Sequence, residues 1–272
     1  MTFTCATYNI LHGRYKGLIL ENIRLLIKEG VDVLCLQETS AEFEKEILSF
    51  LRREGCMHWR AQFVHKGAGG HVGLLWNTYK LSLISTDTIL LPSLGRPSGL
   101  QRLKGNKNVY QRVALLGHFR SGGRTVNVVS AHLSWEGGFL HRFKQVQVVR
   151  KAVDLHSADV AVVGGDFNTI GPKIAARLQT KRFERIFGAD FKHVHPHVAW
   201  SFDTSFGDPL DSWRVAEKFR KVGVKWRSRL DYMFCRNLAV LKADMHDLPG
   251  SDHRPLVATF APVAARPKSV LR

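Results

Sequence analysis

The sequence centres on Val160-Ala161-Val162-Val163-Gly164-Gly165-Asp166-Phe167-Asn168, a short apolar run that ends in two glycines, an aspartate and an asparagine. An apolar run of this length, bounded by turn residues, predicts a buried strand. The two glycines permit a tight turn and the close approach of a ligand. At the strand end, Asp166 could orient or deprotonate water and Asn168 could donate to a phosphate oxygen, but both residue types are also common turn formers.

Four further polar islands each end an apolar run: Thr7-Tyr8-Asn9, Leu36-Gln37-Glu38, Ser130-Ala131-His132-Leu133 and Ser251-Asp252-His253-Arg254-Pro255. Polar residues at strand ends converge easily at one edge of a sheet, and these residue types bind hard cations and move protons. Glu38 with Asn9 nearby forms a candidate Mg²⁺ site, because Mg²⁺ takes few carboxylates and keeps several waters. Taken singly, Asn9 could cap a turn and Glu38 could start a helix.

His253 is the third candidate group, since an imidazole titrates near neutral pH and suits proton transfer or a charged hydrogen bond to phosphate. Such a ring needs an orienting carboxylate, and Asp231 lies at one end of a neighbouring strand candidate. A histidine next to an aspartate in a turn can equally be structural. The order and spacing of all five islands favour the functional interpretation.

Apolar periodicity predicts the secondary structure around these islands. Strands are predicted over residues 2–10, 31–36, 72–76, 81–91, 113–119, 126–130 and 160–163, with a final strand pair over 229–235 and 256–260. Helices are predicted over 18–29, over 40–53 with Ser40 as a possible N-cap, and over 139–155. Turn residues between successive strands indicate an antiparallel or mixed sheet. Without a repeat or composition break, we expect one domain over residues 1–262 and a short basic tail over 263–272.

Bulk composition limits the partners. The 272 residues are 44% hydrophobic and carry a formal net charge of +17, which favours association with polyanions and makes it sensitive to salt. Nucleic acid is the leading candidate partner; a generally basic proteome or attraction to anionic lipid heads are the alternatives. The four cysteines are scattered, and three of them lie in apolar, strand-like contexts, which favours buried free thiols over disulfide bridges. No segment is long and apolar enough to span a bilayer. We expect a soluble intracellular monomer.

Two long loops, over residues 94–111 and 201–229, are rich in basic residues. Loops of this length in a compact domain are usually functional or disordered. The second loop interleaves tryptophans with its charges, which argues for packing or stacking. We therefore predict that it contacts substrate through Arg220, Lys221, Lys225 and Trp226.

The islands, in this order from Thr7 to Pro255, resemble the endonuclease/exonuclease/phosphatase superfamily, which includes deoxyribonuclease I, exonuclease III-type nucleases, tyrosyl-DNA phosphodiesterases and neutral sphingomyelinases. The resemblance implies a four-layer α/β sandwich, in which two packed mixed β-sheets are flanked by helices. It also implies phosphoester hydrolysis with Mg²⁺ or Mn²⁺, by in-line attack of water without a covalent enzyme intermediate.

Residue by residue, the resemblance implies that Glu38 is the principal metal ligand, with Asn9 and Asp252 beside it. It implies that Asp166 positions or activates water, that Asn168 contacts phosphate and that His253 contacts the scissile phosphate with Asp231 as its partner. His132 resembles a second active-site histidine of the deoxyribonuclease I, sphingomyelinase and tyrosyl-phosphodiesterase branches. Arg112 stands where several members place a phosphate-contacting basic residue, but a surface arginine at a strand start would look the same.

The pattern departs from the deoxyribonuclease I branch at Gly70-His71-Val72-Gly73, where an acid normally supports the first histidine. This placement predicts that His132 lacks its usual carboxylate partner. Trp226 to Asp231 resembles the repair nucleases, whereas Ala199 to Thr204 resembles the tyrosyl-phosphodiesterases.

A metal-dependent phosphodiesterase acting on DNA, as a nuclease or end-processing repair enzyme, is the leading hypothesis. RNA cleavage is a close variant, because a groove that tracks phosphates does not by itself distinguish the sugars. A sphingomyelinase-like or phosphoinositide-phosphatase-like enzyme on a phospholipid head group, and a binding module whose site has decayed, are the alternatives.

Overall fold

A computed structural model describes residues 2–66, 70–95, 111–169, 171, 173–197, 200–203 and 227–263. Most of both long loops lies outside these ranges, and so do residues 264–272 of the expected tail. The predicted substrate contacts Arg220, Lys221, Lys225 and Trp226 also lie outside the described residues, so they remain predictions.

The described residues form fourteen strands, four α-helices and a short 3₁₀ turn at Leu11–Gly13. The helices are α1 (Lys16–Lys28), α2 (Ala41–Arg53), α3 (Gly138–Leu155) and α4 (Lys173–Phe187). The strands are β1 (Phe3–Asn9), β2 (Val33–Gln37), β3 (Trp59–Lys66), β4 (Gly70–Asn77), β5 (Ser82–Leu90), β6 (Val113–Ser121), β7 (Arg124–His132), β8 (Val160–Asp166), β9 (Phe191–His193), β10 (Phe202–Asp203), β11 (Arg227–Ser228), β12 (Asp231–Arg236), β13 (Leu238–Met245) and β14 (Leu256–Pro262).

Two six-stranded mixed sheets carry the fold. The first has the order β13-β14-β1-β2-β4-β3 and the second β5-β6-β7-β8-β12-β9. Each sheet contains one parallel pair among the described strands, β1 with β2 and β7 with β8, and the other neighbours run antiparallel. A parallel connection requires a crossover, which α1 and α3 provide.

Three cores separate four layers. Strand alternation sends Phe3, Cys5, Val33 and Cys35 inward, where they pack on the second sheet, and sends Ala6, Tyr8 and Leu34 outward beneath α1 and α2. In the second sheet Val160 and Val162 face the first sheet, whereas Ala161 and Val163 lie beneath α3 and α4. The predicted four-layer α/β sandwich is therefore confirmed.

The predicted elements hold with small changes of boundary. Ser40 does cap α2, because its Oγ accepts a hydrogen bond from Phe43 N at 3.2 Å. Cys5, Cys35 and Cys235 are buried free thiols, as expected.

The last two predicted strands are present as β12 and β14, and Ser251 to His253 lie between them. The segment between them was predicted as a loop, but part of it forms the additional strand β13. β12 and β14 themselves belong to different sheets, because β14 pairs with β1 and β13 while β12 pairs with β8 and β9.

Strands β7 and β8 approach each other closely at Gly165, the residue before Asp166. A Cβ at this position would lie 1.9 Å from the carbonyl oxygen of Ala131, its partner in the ladder, and backbone cannot move aside cheaply. We expect Gly165→Ala to lower the free energy of unfolding by about 2–3 kcal/mol, as overpacking typically does. Urea unfolding measures this.

Gly17→Ala is the matched control, because nothing lies within 4 Å of a Cβ at this position in α1. Alanine in a helix should leave stability unchanged or raise it by up to about 1 kcal/mol. Equal stability of the Gly165 variant and wild type would contradict the close approach.

Candidate active site

The carboxyl ends of the two parallel strand pairs meet at one end of the sandwich. Asn9 is the last residue of β1 and Glu38 directly follows β2, while His132 and Asp166 are the last residues of β7 and β8. Alternation places Asn9, His132 and Asp166 on the inward faces of their strands, where the apolar core between the sheets gives way to polar residues. The structure therefore brings these strand ends together, as the sequence predicted.

Asp166 lies at the centre of this site and is almost fully buried. Its Oδ2 accepts a hydrogen bond from Asn9 Nδ2 at 3.0 Å, and its Oδ1 accepts one from the backbone N–H of Asn168 at 2.8 Å. Backbone hydrogen bonds from Leu133 N to Asp166 O and from Phe167 N to Leu230 O fix the turn. The carboxylate is thus held in one orientation by both sheets.

His253 and Asp231 form a tight buried pair on one side of Asp166. Asp231 opens β12 opposite Asp166, and its Oδ2 lies 2.7 Å from His253 Nδ1. The other ring nitrogen, Nε2, points toward Asp166 Oδ2 at 3.9 Å. The predicted orienting role of Asp231 therefore has the geometry it needs: Nδ1–H donates to the carboxylate, and Nε2 faces the site.

Two serines hold this pair in place, and sequence reasoning did not assign them a role. Ser201 Oγ accepts from the backbone N–H groups of Leu230 and Asp231, both at 2.9 Å. Ser251 Oγ donates to the carbonyl oxygen of Asn9 at 2.7 Å and accepts from His253 N at 3.1 Å. Both serines stand inside the motifs quoted above. Ser251 accepts from the residue two positions later, an ST-turn pattern that the sequence could have shown, whereas the partners of Ser201 are 29 and 30 residues away and leave no local signal.

Glu38 adopts a left-handed backbone with φ of 55°, which is unfavourable for a residue with a side chain. This turn directs the partly exposed carboxylate back over the strand ends. Its Oε1 lies 3.8 Å from His132 Nε2, and its Oε2 lies 3.3 Å from His12 Nε2. His12 is a site residue that was not predicted, because it stands outside the polar islands in the short turn after β1.

His132 is buried and contacts Arg112, whose Nη1 lies 3.0 Å from Nδ1 and 3.2 Å from Nε2 of the ring. Arg112 is itself only 6% exposed, which excludes a surface arginine, and its Nη2 lies 3.6 Å from Glu136 Oε1. Glu136 is a second group that was not predicted. The carboxylates nearest to His132 are Asp166 at 3.7 Å and Glu38 at 3.8 Å.

The remaining predicted residues also lie here. Asp252 Oδ1 is 4.0 Å from His253 Nε2. Asn168, at a φ of 50°, donates from Nδ2 to the carbonyl oxygen of Leu133 at 2.9 Å. Asn9 uses its Oδ1 to accept from Leu11 N at 3.1 Å. The roles assigned to all these residues remain predictions, but their assembly in one place is observed.

Burial and charge set three protonation states. Burial raises the pKa of Asp166 to about 7, against the opposing charge of His253 and with help from Asp231. Burial lowers the pKa of His132 well below its usual range, and the charge of Arg112 adds to this. Burial alone would lower the pKa of His253, but the charges of Asp231 and Asp166 raise it well above its ordinary value. The site pairs a neutral imidazole with a protonated one around a carboxylate that titrates near neutral pH.

The donor set fits a divalent cation. One oxygen or nitrogen atom from each of Glu38, His132 and Asp166 lies within 4.8 Å of the other two. Glu38 is the most accessible of the three, with a side chain 22% exposed, so bound water has room beside it. A single accessible carboxylate with a buried acid behind it suits an open site that keeps water and admits phosphate oxygens.

A model of the Endonuclease/Exonuclease/phosphatase family matches residues 6–253. The chain belongs to this family. Its members hydrolyse phosphoester bonds and generally use a divalent metal, so this protein is a phosphoesterase in the broad sense. None of the curated proteins matches the chain significantly in sequence.

Several solved structures share the fold. An endonuclease/exonuclease/phosphatase protein from Bacteroides vulgatus superposes with a TM-score of 0.70 at 18% identity, covering 96% of this chain and 99% of that one. TDP2 from D. rerio, solved with a single-strand DNA product, gives 0.68 at 15% identity over 96% and 99%. A mannosyl-6-phosphatase from Bacteroides thetaiotaomicron gives 0.65 at 15% identity over 95% and 99%. At these identities the likeness concerns the fold alone.

The described part of the chain contains no helix that could cross a membrane by length and apolarity.

The His253–Asp231 pair predicts a pH-dependent stability. A histidine whose folded pKa is raised contributes stability that is fully present below its unfolded pKa of about 6.5 and is lost as pH rises through the folded pKa. Asp231→Asn removes most of this contribution. We therefore expect the loss of unfolding free energy in the variant to be larger at about pH 6 than at about pH 9, measured by urea unfolding in EDTA.

An NMR titration of the histidine ring protons gives the second readout. The His253 resonance, assigned by its disappearance in His253→Gln, should titrate at lower pH in Asp231→Asn than in wild type. A titration that does not move would contradict the pairing.

Proposed function

We propose that this protein is a Mg²⁺- or Mn²⁺-dependent phosphodiesterase that acts on DNA, as a nuclease or an enzyme that processes DNA ends. The observation that carries the proposal is the position of Asp166, a buried carboxylate set between His253 and His132 and within reach of Glu38. This is the arrangement that hydrolysis of a phosphoester by water requires. One group can receive the water proton, and others can stabilise the charge that develops on phosphate oxygens.

In this proposal Asp166 positions the attacking water and takes its proton. A pKa of about 7 suits a general base at neutral pH, because the carboxylate is partly ionised and strong enough to accept a proton. Asn9 and the backbone N–H of Asn168 each donate to one carboxylate oxygen and so hold the group in a fixed orientation. The residue thus combines orientation with basicity.

His253 supplies positive charge on the opposite side. Its raised pKa keeps the ring protonated, so Nε2–H can donate to a non-bridging phosphate oxygen while Asp231 keeps Nδ1–H occupied. Burial keeps the pKa of His132 low, so the ring is neutral. One ring nitrogen accepts a hydrogen bond from Arg112, and the N–H of the other nitrogen can donate to a phosphate oxygen. Arg112 either orients His132 or contacts the phosphate directly. Asn168 is a second candidate for a phosphate contact.

Glu38, the accessible carboxylate of the Glu38, His132 and Asp166 group, would hold the cation, with Asn9 and Asp252 as the further ligands that the family resemblance implies. When bound, Mg²⁺ or Mn²⁺ supplies Lewis-acid stabilisation of charge on the phosphate oxygens. His12 lies at the exposed side of Glu38 and restricts the orientation of its carboxylate.

Two observations support a polynucleotide substrate. The net charge of +17 provides a strong field for a polyanion. TDP2 from D. rerio, one of the structural neighbours, was solved with a single-strand DNA product. RNA remains an outcome of the assay, because backbone contacts do not distinguish the sugars.

Phosphomonoester hydrolysis is the second candidate, favoured by a specific likeness. The mannosyl-6-phosphatase from Bacteroides thetaiotaomicron superposes almost as well as TDP2, with TM-scores of 0.65 and 0.68. The same groups could stabilise a phosphate monoester on a sugar, an inositol or a lipid head group. The charge of the chain favours the polynucleotide.

The deciding experiment presents the purified protein with end-labelled single-stranded, double-stranded, abasic and 5′-tyrosyl DNA, matched RNA, and mannose 6-phosphate. Each is tested with Mg²⁺, Mn²⁺ or EDTA. We expect DNA cleavage that requires metal and that Asp166→Asn slows by about 10³-fold or more, because the general base is lost. DNA affinity in this variant should remain within a few-fold of wild type.

Glu38→Ala is the control for the metal site and should lose the response to Mg²⁺ and Mn²⁺. Phosphate release from mannose 6-phosphate without cleavage of any polynucleotide would favour the second candidate. Full activity of Asp166→Asn on DNA would contradict the assigned role.

We predict that the second basic loop, over residues 201–229, forms part of the DNA-binding surface. Replacing Arg220, Lys221 and Lys225 together with Gln should weaken DNA binding and reduce the slope of log K against log salt by up to about 3, since each lost phosphate contact removes about 0.9. Fluorescence anisotropy over a range of salt concentrations measures the slope. Lys242→Gln, at an exposed ion pair with Asp244, is the control; an unchanged slope in the triple variant would place the footprint elsewhere.

A further inference from the structure

A second group of metal-binding side chains lies where β9 meets the end of α4. His193 ends β9, His195 follows two residues later and Glu184 stands in the last turn of α4. One ligand atom from each residue, a carboxylate oxygen or a ring nitrogen, lies within 4.8 Å of the other two. An ion of the Zn²⁺ class holds its ligands at about 2.0–2.2 Å, so these side chains need to move only slightly to contact one ion together.

The contacts within this group are already close. His193 Nδ1 lies 3.1 Å from Glu184 Oε1, and the ring centroids of His193 and His195 are 4.1 Å apart. The His193 side chain is only 3% exposed, whereas Glu184 and His195 are exposed. The group therefore has one buried anchor and two ligands that solvent can reach.

The His193 ring is held by packing and does not depend on a metal for its position. It stacks on Phe234, with centroids 5.0 Å apart, and on Tyr232 at 5.5 Å. Its Nε2 is buried without a hydrogen-bond partner among the described residues. Nδ1, which contacts Glu184, is therefore the nitrogen that can bind an ion shared with Glu184 and His195. A ligand fixed before binding loses little side-chain entropy when the ion arrives.

The group is separate from the active site. His193 pairs with Phe234, three residues along β12 from Asp231. Tyr232 and Phe234 face the helices, while Met233 and Cys235 face the other sheet. By strand alternation Asp231 belongs to the inward face, so the active site and this histidine group lie on opposite faces of the second sheet.

We propose that Glu184, His193 and His195 bind a divalent transition-metal ion of the Zn²⁺ class. Two imidazoles and one carboxylate suit Zn²⁺, Co²⁺ or Ni²⁺ better than Mg²⁺, which prefers oxygen ligands alone. The single carboxylate offsets part of the charge of the ion, and water completes the coordination on the exposed side. The ion joins the edge strand β9 to the end of α4.

The experiment uses the full chain with Glu38→Ala in every sample, so that the cluster around Glu38 does not contribute a second strong site. Metal is removed with chelator, Mg²⁺ is added in excess and Zn²⁺ is titrated against a chromophoric chelator. Co²⁺ then reports the ligand geometry by its visible spectrum. Thermal melting with and without Zn²⁺ gives an independent readout.

Three further variants are compared in this background. Glu184→Gln and His195→Ala each remove one exposed ligand, so the fold should tolerate them; equal melting temperatures without metal verify this. His58→Ala removes a histidine that stacks on Tyr79 outside the group and serves as the control.

We expect one equivalent of Zn²⁺ to bind and to raise the melting temperature by a few degrees in the parent and in His58→Ala. Affinity should fall by about tenfold or more in Glu184→Gln and His195→Ala, with loss of the temperature shift. Equal affinity in all four proteins, absence of stoichiometric binding, or an equal loss in His58→Ala would overturn the proposal.

Discussion

The hydrogen bond from Asn9 Nδ2 to Asp166 Oδ2 joins the ends of β1 and β8, which belong to different sheets. Both side chains are buried, so leaving either polar group unpaired would cost about 1–3 kcal/mol. Beneath this bond, Gln37 Nε2 donates to Ser130 Oγ, which donates to the carbonyl oxygen of Leu36 in the first sheet. Because apolar contacts are not directional, these polar bonds are what fix the position of one sheet on the other at this end.

The same burial decides the chemistry available. Burial raises the pKa of Asp166 and lowers the pKa of His132, to which the charge of Arg112 adds, while the charges of Asp231 and Asp166 raise the pKa of His253 despite its burial. Asp166, His253 and His132 thus differ in protonation because of their neighbours. The left-handed backbones of Glu38 and Asn168 cost of order 1–3 kcal/mol each. Strain at these two positions is maintained by the surrounding strands, as is typical of functional sites.

The sequence predicted the buried strands and most of the site because both have strong local signals. β8 is a continuous apolar run, and four of the five polar islands stand where a strand ends; the fifth, Ser251 to Pro255, directly precedes β14. In contrast, β3 was not predicted, since Arg60, Gln62 and His65 dilute its apolar residues. α4 was not predicted either, because its buried residues are only Gln179, Phe183 and Phe187. His12 and Glu136 enter the site from turns, where no periodicity marks the direction of a side chain.

One strand, β12, connects the active site to the outer face. Asp231 serves His253 on the inward side, and the next residue, Tyr232, directs its hydroxyl outward to Thr169, which follows the Asp166 turn, and to Thr180 on α4. A displacement of α4 relative to β12 would break these hydrogen bonds and disturb the turn that holds Asn168. An ion held between α4 and β9 would therefore stiffen an arrangement on which the active site already depends, which gives the outer histidine group a stabilising role without direct contact with substrate.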